Sequence, residues 1–208
     1  MLHPYLPYLN SLNILLASVS PHRRDLLELL GVQFTVGGSG YSEDQDWRAF
    51  PSPVAYVQSN ALLKLNSAQT KYPEADLIIV ADTIVEAGGE VLEKPDNEED
   101  AKRMMRLLSN TKHQVHTALF VQLRRNENAI TSSCVETTAV YFEELDESMI
   151  QAYVATGEWQ GEAGGYKVRT GAGASLISRI EGCYYNAIGL PLSKLTQLLI
   201  NIVPKATT

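Results

Sequence analysis

Residues 14–31 read ILLASVSPHRRDLLELLG. The first four are continuously apolar, the pattern of a short strand buried on both faces. Ser-Val-Ser-Pro follows, and then a leucine-rich segment. Ser20 suits the N-cap of a helix and Pro21 its first position. Leu26, Leu27 and Leu30 then recur at helical spacing, and Gly31 stands where a C-terminal glycine belongs. A buried strand turning directly into a helix is the opening unit of an α/β fold.

The same alternation continues down the chain. Pro53–Ala68 places Val54, Val57, Ala61, Leu65 and Ala68 on one helical face. Leu77–Ala81, LIIVA, is a second buried-strand candidate, with Asp82-Thr83 at its end. Gly88-Gly89 makes a turn before Lys94-Pro95. Asp96-Asn97 caps a helix whose first turn is acidic and whose stripe is Ala101, Met104, Met105 and Leu108. From Val115 to Leu123 the odd positions alternate as in a strand, and Val135–Phe142 reads as another. Asp146–Ala155 reads as a helix ended by Gly157. A glycine-rich stretch, GEAGGYKVRTGAG, precedes a last strand near Leu176–Ile180 and a helix carrying Leu192, Leu195, Leu199 and Ile202.

Bulk composition narrows the partners. The 208 residues carry a net charge of −7 and a pI near 5.1. Such a chain lacks the basic surface that duplex nucleic acid requires. A small anion remains compatible, because a few clustered cations suffice for a local positive pocket. No apolar run approaches the roughly 18 residues of a membrane span. Cys134 and Cys183 form no Cys-x-x-Cys, which fits a reducing, cytoplasmic setting. Residues 1–13, with two prolines and no basic start, read as an N-terminal arm, and 14–208 as a single domain.

Three places suggest chemistry. Arg23 and Arg24 occupy a helix's first turn, where the dipole disfavours cations. Either they reach out into water, or Ser18, Ser20, Arg23 and the free helix N–H groups bind a phosphate. Asp82 follows four apolar residues, and ligands of α/β sheets bind outside the carboxyl ends of strands. It is either a strand-end cap or a metal-binding or proton-transferring acid. Lys94 is either a surface lysine or a phosphate contact fixed by Pro95. Other motifs are missing: there is no G-x-x-x-x-G-K-[ST] loop, no second acid two residues after Asp82, and no G-x-S-x-G elbow. His113 and His116 lack partners at zinc-ligand spacing and read as ordinary polar residues of a strand.

Taken in order, these segments resemble one family, the Maf or septum formation inhibitor proteins, from Ile14 to Leu199. LASVSPHRRDLL is similar to that family's L-A-S-x-S-P-R-R-x-x-L-L. VADTIVEAGGEVLEKP is similar to its G-A-D-T-x-V…G-x-x-x-x-K-P. EEDAKRMMRLLSNTKHQVHTA, EAGGYKV and IEGCYYNAIGLPL resemble its later motifs. The resemblance implies an elongated mixed sheet flanked by helices, with two lobes and a central cleft. It implies hydrolysis of a nucleoside triphosphate between the α- and β-phosphates, with a divalent metal, Mg²⁺ or Mn²⁺, in clearing surplus or non-standard nucleotides. Ser18, Ser20 and Arg23 match the phosphate-binding segment, and Glu43 and Asp82 the metal-serving acids. Lys64 matches the lysine of a K-A pair, with Leu65 in place of alanine, and Lys94 the K-P lysine. A homodimer is a family-level expectation.

Thr83, in a D-T pair, and the wording GEVLEKP resemble the branch associated with dTTP and UTP. The branch associated with 7-methyl-GTP carries D-Q. His22 stands where the first branch has arginine and the second tryptophan. Arg169, in VRTG, takes the approximate place of a family glutamine, and Asn110 replaces a glycine. His22, Thr83 and Arg169 are therefore the expected substrate contacts. The rival readings are a 7-methyl-GTP or inosine/xanthosine triphosphate pyrophosphatase, or a catalytically weak nucleotide-binding regulator of division.

Overall fold

The computed structural model describes residues 1–42, 44–125 and 128–203. Among them the strands are β1 (Ile14–Leu16), β2 (Thr35–Val36), β3 (Leu77–Ala87), β4 (Glu90–Leu92), β5 (Lys112–Arg125), β6 (Asn128–Phe142) and β7 (Ile177–Glu181). The helices are α1 (Leu6–Leu9), α2 (Pro21–Glu28), α3 (Pro53–Lys71), α4 (Glu98–Leu108), α5 (Glu147–Ala155), α6 (Tyr184–Ile188) and α7 (Leu192–Ile202). The strands form one open mixed sheet in the order β2-β1-β3-β5-β6-β7, with β4 on the distal part of β3. β1 pairs in parallel with both β2 and β3. The connecting helices α2 and α3 therefore run back against the strand direction. The mixed α/β architecture expected from the sequence is the one observed.

The described residues divide into two compact units. One is drawn from Met1–Asp82, Thr117–Glu136 and Gly189–Thr208, the other from Thr83–His116 and Thr137–Ile188. The first buries Leu26 and Leu27 of α2, Val57, Ala61, Leu65 and Ala68 of α3, and Leu195, Leu199 and Ile202 of α7. The apolar stripes read from the sequence thus face inward, except that Leu30 and Val54 are only half-buried. Arg124 takes the carbonyls of Gln69, Tyr72 and Pro73 at the end of α3, at 2.7–3.2 Å. It satisfies backbone oxygens that a helix terminus leaves open. In the N-terminal thirteen residues, Leu2 and Leu9 are buried. The second unit has its own core, in which Met104, Met105 and Leu108 of α4 join Val140, Phe142, Tyr153 and Tyr166.

Helix starts follow their caps. Ser20, Ser52, Asn97 and Asp146 each accept a bond from the backbone N–H three residues on. Three strand expectations need correction. β3 does not stop at Ala81 but continues to Ala87, and Val85–Ala87 pair with β4. β5 does not alternate: His116, Ala118, Phe120 and Gln122 are buried along with Val115, Leu119, Val121 and Leu123. It is an interior strand, and period-2 patterning marks only strands with a wet face. β6 begins at Asn128, seven residues early, over a polar but β-tolerant stretch rich in Thr and Ser. Asn110 has φ +53°, a left-handed conformation that asparagine tolerates better than most residues.

Candidate active site

The chain leaves β1 at Leu16. Ala17 N still donates to Ile79 O at 2.9 Å, and Ser18 is buried just beyond. Ser18 Oγ accepts from Ser20 N at 3.2 Å and from Arg23 Nη1 at 3.3 Å. Arg23 Nε donates to Gly189 O at 3.0 Å. The guanidinium is therefore folded back over the turn that opens α2. The first turn of α2 holds no acidic side chain, so helix N–H groups, hydroxyls and one guanidinium form an electropositive corner. Arg24 behaves differently. It is exposed and pairs with Asp25 and Glu28 at 3.2 and 3.9 Å. Of the two arginines, one builds the corner and the other is a solvated surface residue. His22, beside them, is half-buried.

Asp82 is not a strand-end residue, contrary to the expectation from LIIVA, but lies in the middle of β3. What ends short of it is the neighbour: β1 pairs with β3 only as far as Leu16↔Ile79, three residues before Asp82. Asp82 thus stands just past the carboxyl end of β1, and the general placement of ligands in α/β sheets still applies. Lys64, three turns into α3, donates its Nζ to Asp82 Oδ1. The two side chains are 10% and 5% exposed. Asp82 Oδ2 is buried and has no hydrogen-bond partner among the described residues. A buried carboxylate oxygen without a donor or cation is costly. Asn60, one turn before Lys64 on α3, is 1% exposed, and both ends of its amide lack a partner among the described residues. An unsatisfied buried amide costs about 1–3 kcal/mol.

Thr83, Lys94 and Arg169 belong to the second unit. Thr83 is half-buried and follows Asp82 in β3, so its side chain points to the opposite face of the sheet. Lys94 is exposed after β4, beside a buried Pro95. The Ala163–Gly165 turn braces this corner: Gly164 N donates to Glu93 O at 2.9 Å. A Cβ on Gly165 (φ +73°) would come within 2.9 Å of the Pro95 ring, so the paired glycines have a steric reason. Arg169 is half-buried in a segment tied down by Glu158, whose two carboxylate oxygens accept from Ala172 N and Gly173 N at 3.1 and 3.2 Å. Those bonds hold the Glu158 carboxyl below its usual range. Glu43, the second expected metal acid, lies outside the described residues.

The structure therefore links Ser18, Ser20 and Arg23 directly, and links Lys64 to Asp82. It also gives specific partners to two histidines that the sequence reading took as ordinary. His113 is buried, with Nε2 2.7 Å from Tyr166 OH, and burial lowers its pKa to about 4. His116 bridges Thr137 Oγ1 and Glu86 Oε2, each at 2.9 Å. Neither is an ordinary strand residue. Glu158 and Asn60 escaped notice. No local signal marks a glutamate that caps a distant backbone segment, or an asparagine whose amide is left unpaired.

Among the described residues no group of three or more His, Cys, Asp and Glu side chains converges to hold a metal. One carboxylate oxygen, Asp82 Oδ2, has the chemistry a hard divalent cation takes. No helix among them is long and apolar enough to cross a membrane.

Comparison with known proteins supplies the remaining context. The family model described as "Maf-like protein" matches residues 13–202. Among curated proteins, the dTTP/UTP pyrophosphatase of Moorella thermoacetica is 42% identical over 187 residues, covering 89% of this chain and 93% of its own. The dTTP/UTP pyrophosphatases of Dictyoglomus thermophilum and Vibrio cholerae are each 40% identical over 186 residues. They cover 89% of this chain and 94% and 96% of their own lengths.

Proposed function

The chain belongs to the Maf-like protein family, and from that premise we propose that it is a dTTP/UTP pyrophosphatase, hydrolysing the α–β phosphoanhydride to a nucleoside monophosphate and pyrophosphate. The observation that carries the reading is the buried Lys64–Asp82 pair with its unpartnered Oδ2. A carboxylate so placed has one oxygen held by an ammonium and one open to a water or a cation. Relatives named for this activity at about 40% identity over nearly the whole chain support the substrate class.

Each residue then has a physical task. Arg23, Ser18 and the N-terminal amides of α2 bind phosphate oxygens, Arg23 being pre-set by its bonds to Ser18 and Gly189. Asp82 Oδ2 accepts a hydrogen bond from the attacking water, fixing it and drawing its proton as the bond to phosphorus forms. Lys64 and Lys94 offset charge on the phosphates and on departing pyrophosphate, largely an electrostatic contribution. His22, Thr83 and Arg169 are the remaining substrate contacts. Asp82, together with Glu43, would hold a divalent metal, which when bound neutralises phosphate charge and polarises the phosphoryl oxygens.

The test is a panel of dTTP, UTP, ITP, XTP, 7-methyl-GTP and the common triphosphates, with Mg²⁺ and with Mn²⁺, scored for pyrophosphate. The expected result is pyrophosphate release, fastest with dTTP and UTP. Orthophosphate as the product, a purine preference, or no turnover would overturn the reading.

A further inference from the structure

Asn60 and Lys64 lie one turn apart on the same side of α3, about 6 Å along its axis. Both are buried. Because α3 runs against the strand direction, Asn60 lies a turn further towards the carboxyl end of β1, where Ser18 and Asp82 stand. Long helical side chains tend to lean towards their helix N-terminus, the side on which Asn60 lies. The Asn60 amide has no partner at either end among the described residues. Whichever way the amide is turned, an acceptor oxygen is buried there without a donor. Such a group in a native fold calls for an explanation, and a working state that uses it is one.

We infer that Asn60 is a positioning residue for the hydrolysis proposed above: its amide oxygen receives the Lys64 ammonium when substrate engages Asp82. The inference rests on that functional reading. In the arrangement observed, Lys64 occupies one of the two Asp82 oxygens. Moving to Asn60 releases that oxygen, while the ammonium keeps a hydrogen-bond acceptor and remains beside the phosphates it must neutralise. No proton transfer is needed, because Lys64 stays charged throughout. A leucine of similar shape at position 60 would hold Lys64 on Asp82 by offering it nothing else on that turn.

The experiment compares wild type with Asn60→Leu and Asn60→Ala. Thermal unfolding is measured without nucleotide, and kcat and KM are measured on UTP and dTTP. Asn60→Leu should raise Tm by about 2–4 °C, because an unpaired amide leaves the interior. It should lower kcat about tenfold with KM nearly unchanged, the signature of an interaction made after binding. Asn60→Ala should show the same kcat loss. The NMR signal of the Lys64 ammonium, on adding a non-hydrolysable UTP analogue, should move in wild type and stay in Asn60→Leu. Unchanged kcat in both variants overturns the inference, as does a Tm that falls while kcat holds, which marks a structural amide. A wild type that releases no pyrophosphate from any nucleotide retires the functional reading itself, and a working wild type matched by Asn60→Leu retires only the role of Asn60.

Discussion

Lys64 and Asp82 hold each other in an ion pair withdrawn from water on both sides. Removing one partner of such a pair strands the other. Lys64→Met should therefore cost about 3–5 kcal/mol of stability, and adding Asp82→Leu should restore most of it. Urea denaturation of the single and double variants checks this. Asp82→Asn, which keeps the shape, should still bind nucleotide but lose about 10²–10³ in turnover. Undiminished pyrophosphate release would remove Asp82 from the reaction.

Arg23 and Arg24 should separate cleanly. Arg23 holds Ser18 and Gly189, so Arg23→Ala should raise KM for UTP and lower kcat. Arg24 makes only exposed ion pairs, which are worth about 0–1 kcal/mol. Arg24→Ala should leave both constants and Tm close to wild type. Steady-state kinetics on the two variants decides the matter, and equal effects would contradict the different roles assigned to them.

His113 is a source of acid sensitivity. Burial lowers its pKa from 6.5 to about 4, so the fold holds it neutral while the unfolded chain binds a proton. The stability this represents is fully present above about pH 6.5 and is lost as pH falls towards 4, on the order of 3 kcal/mol. Unfolding free energy measured between pH 7 and 4 should slope accordingly, and His113→Gln should flatten that slope.

Asn110 should accept glycine more readily than alanine. Its φ of +53° penalises an ordinary side chain by about 1–2 kcal/mol. Asn110→Ala should lower stability by about that amount, and Asn110→Gly should stay within about 0.5 kcal/mol of wild type. Thermal unfolding distinguishes them.

Glu158 should act as a fastening for the segment that carries Arg169. Glu158→Ala removes acceptors from Ala172 N and Gly173 N. Hydrogen exchange at those two amides should accelerate, and KM for UTP should rise as Arg169 is less well held. Unchanged exchange would show that the segment is fixed by other means.

Much of this was legible in the residues. ILLA and LIIVA announced buried strands because a strand covered on both faces needs no polar alternation. Ser20, Asn97 and Asp146 announced helix starts because capping is local chemistry. Asp82 was singled out, but as a strand end. The parallel pairing with β1 stops at Ile79, three residues before it, while its own strand runs on, and only pairing with β4, decided further along the chain, reveals that. His113, His116 and Glu158 could not be read, since their partners Tyr166, Thr137 and Ala172 lie 14 to 53 residues away. Burial, not residue type, gives those side chains their character.

The two units are woven from five stretches of chain; of the four passages between them, three fall inside β3, β5 and β6, and one follows α6. No single cut in the gene separates them, because a fragment ending at Asp82 lacks Thr117–Glu136 and everything from Gly189 onward. Neither half can have been borrowed whole from another protein, or lent to one, by a simple end-to-end fusion. A single cut anywhere from Thr83 to Ile188 is therefore expected to leave either fragment short of some of the first unit's own strands or helices.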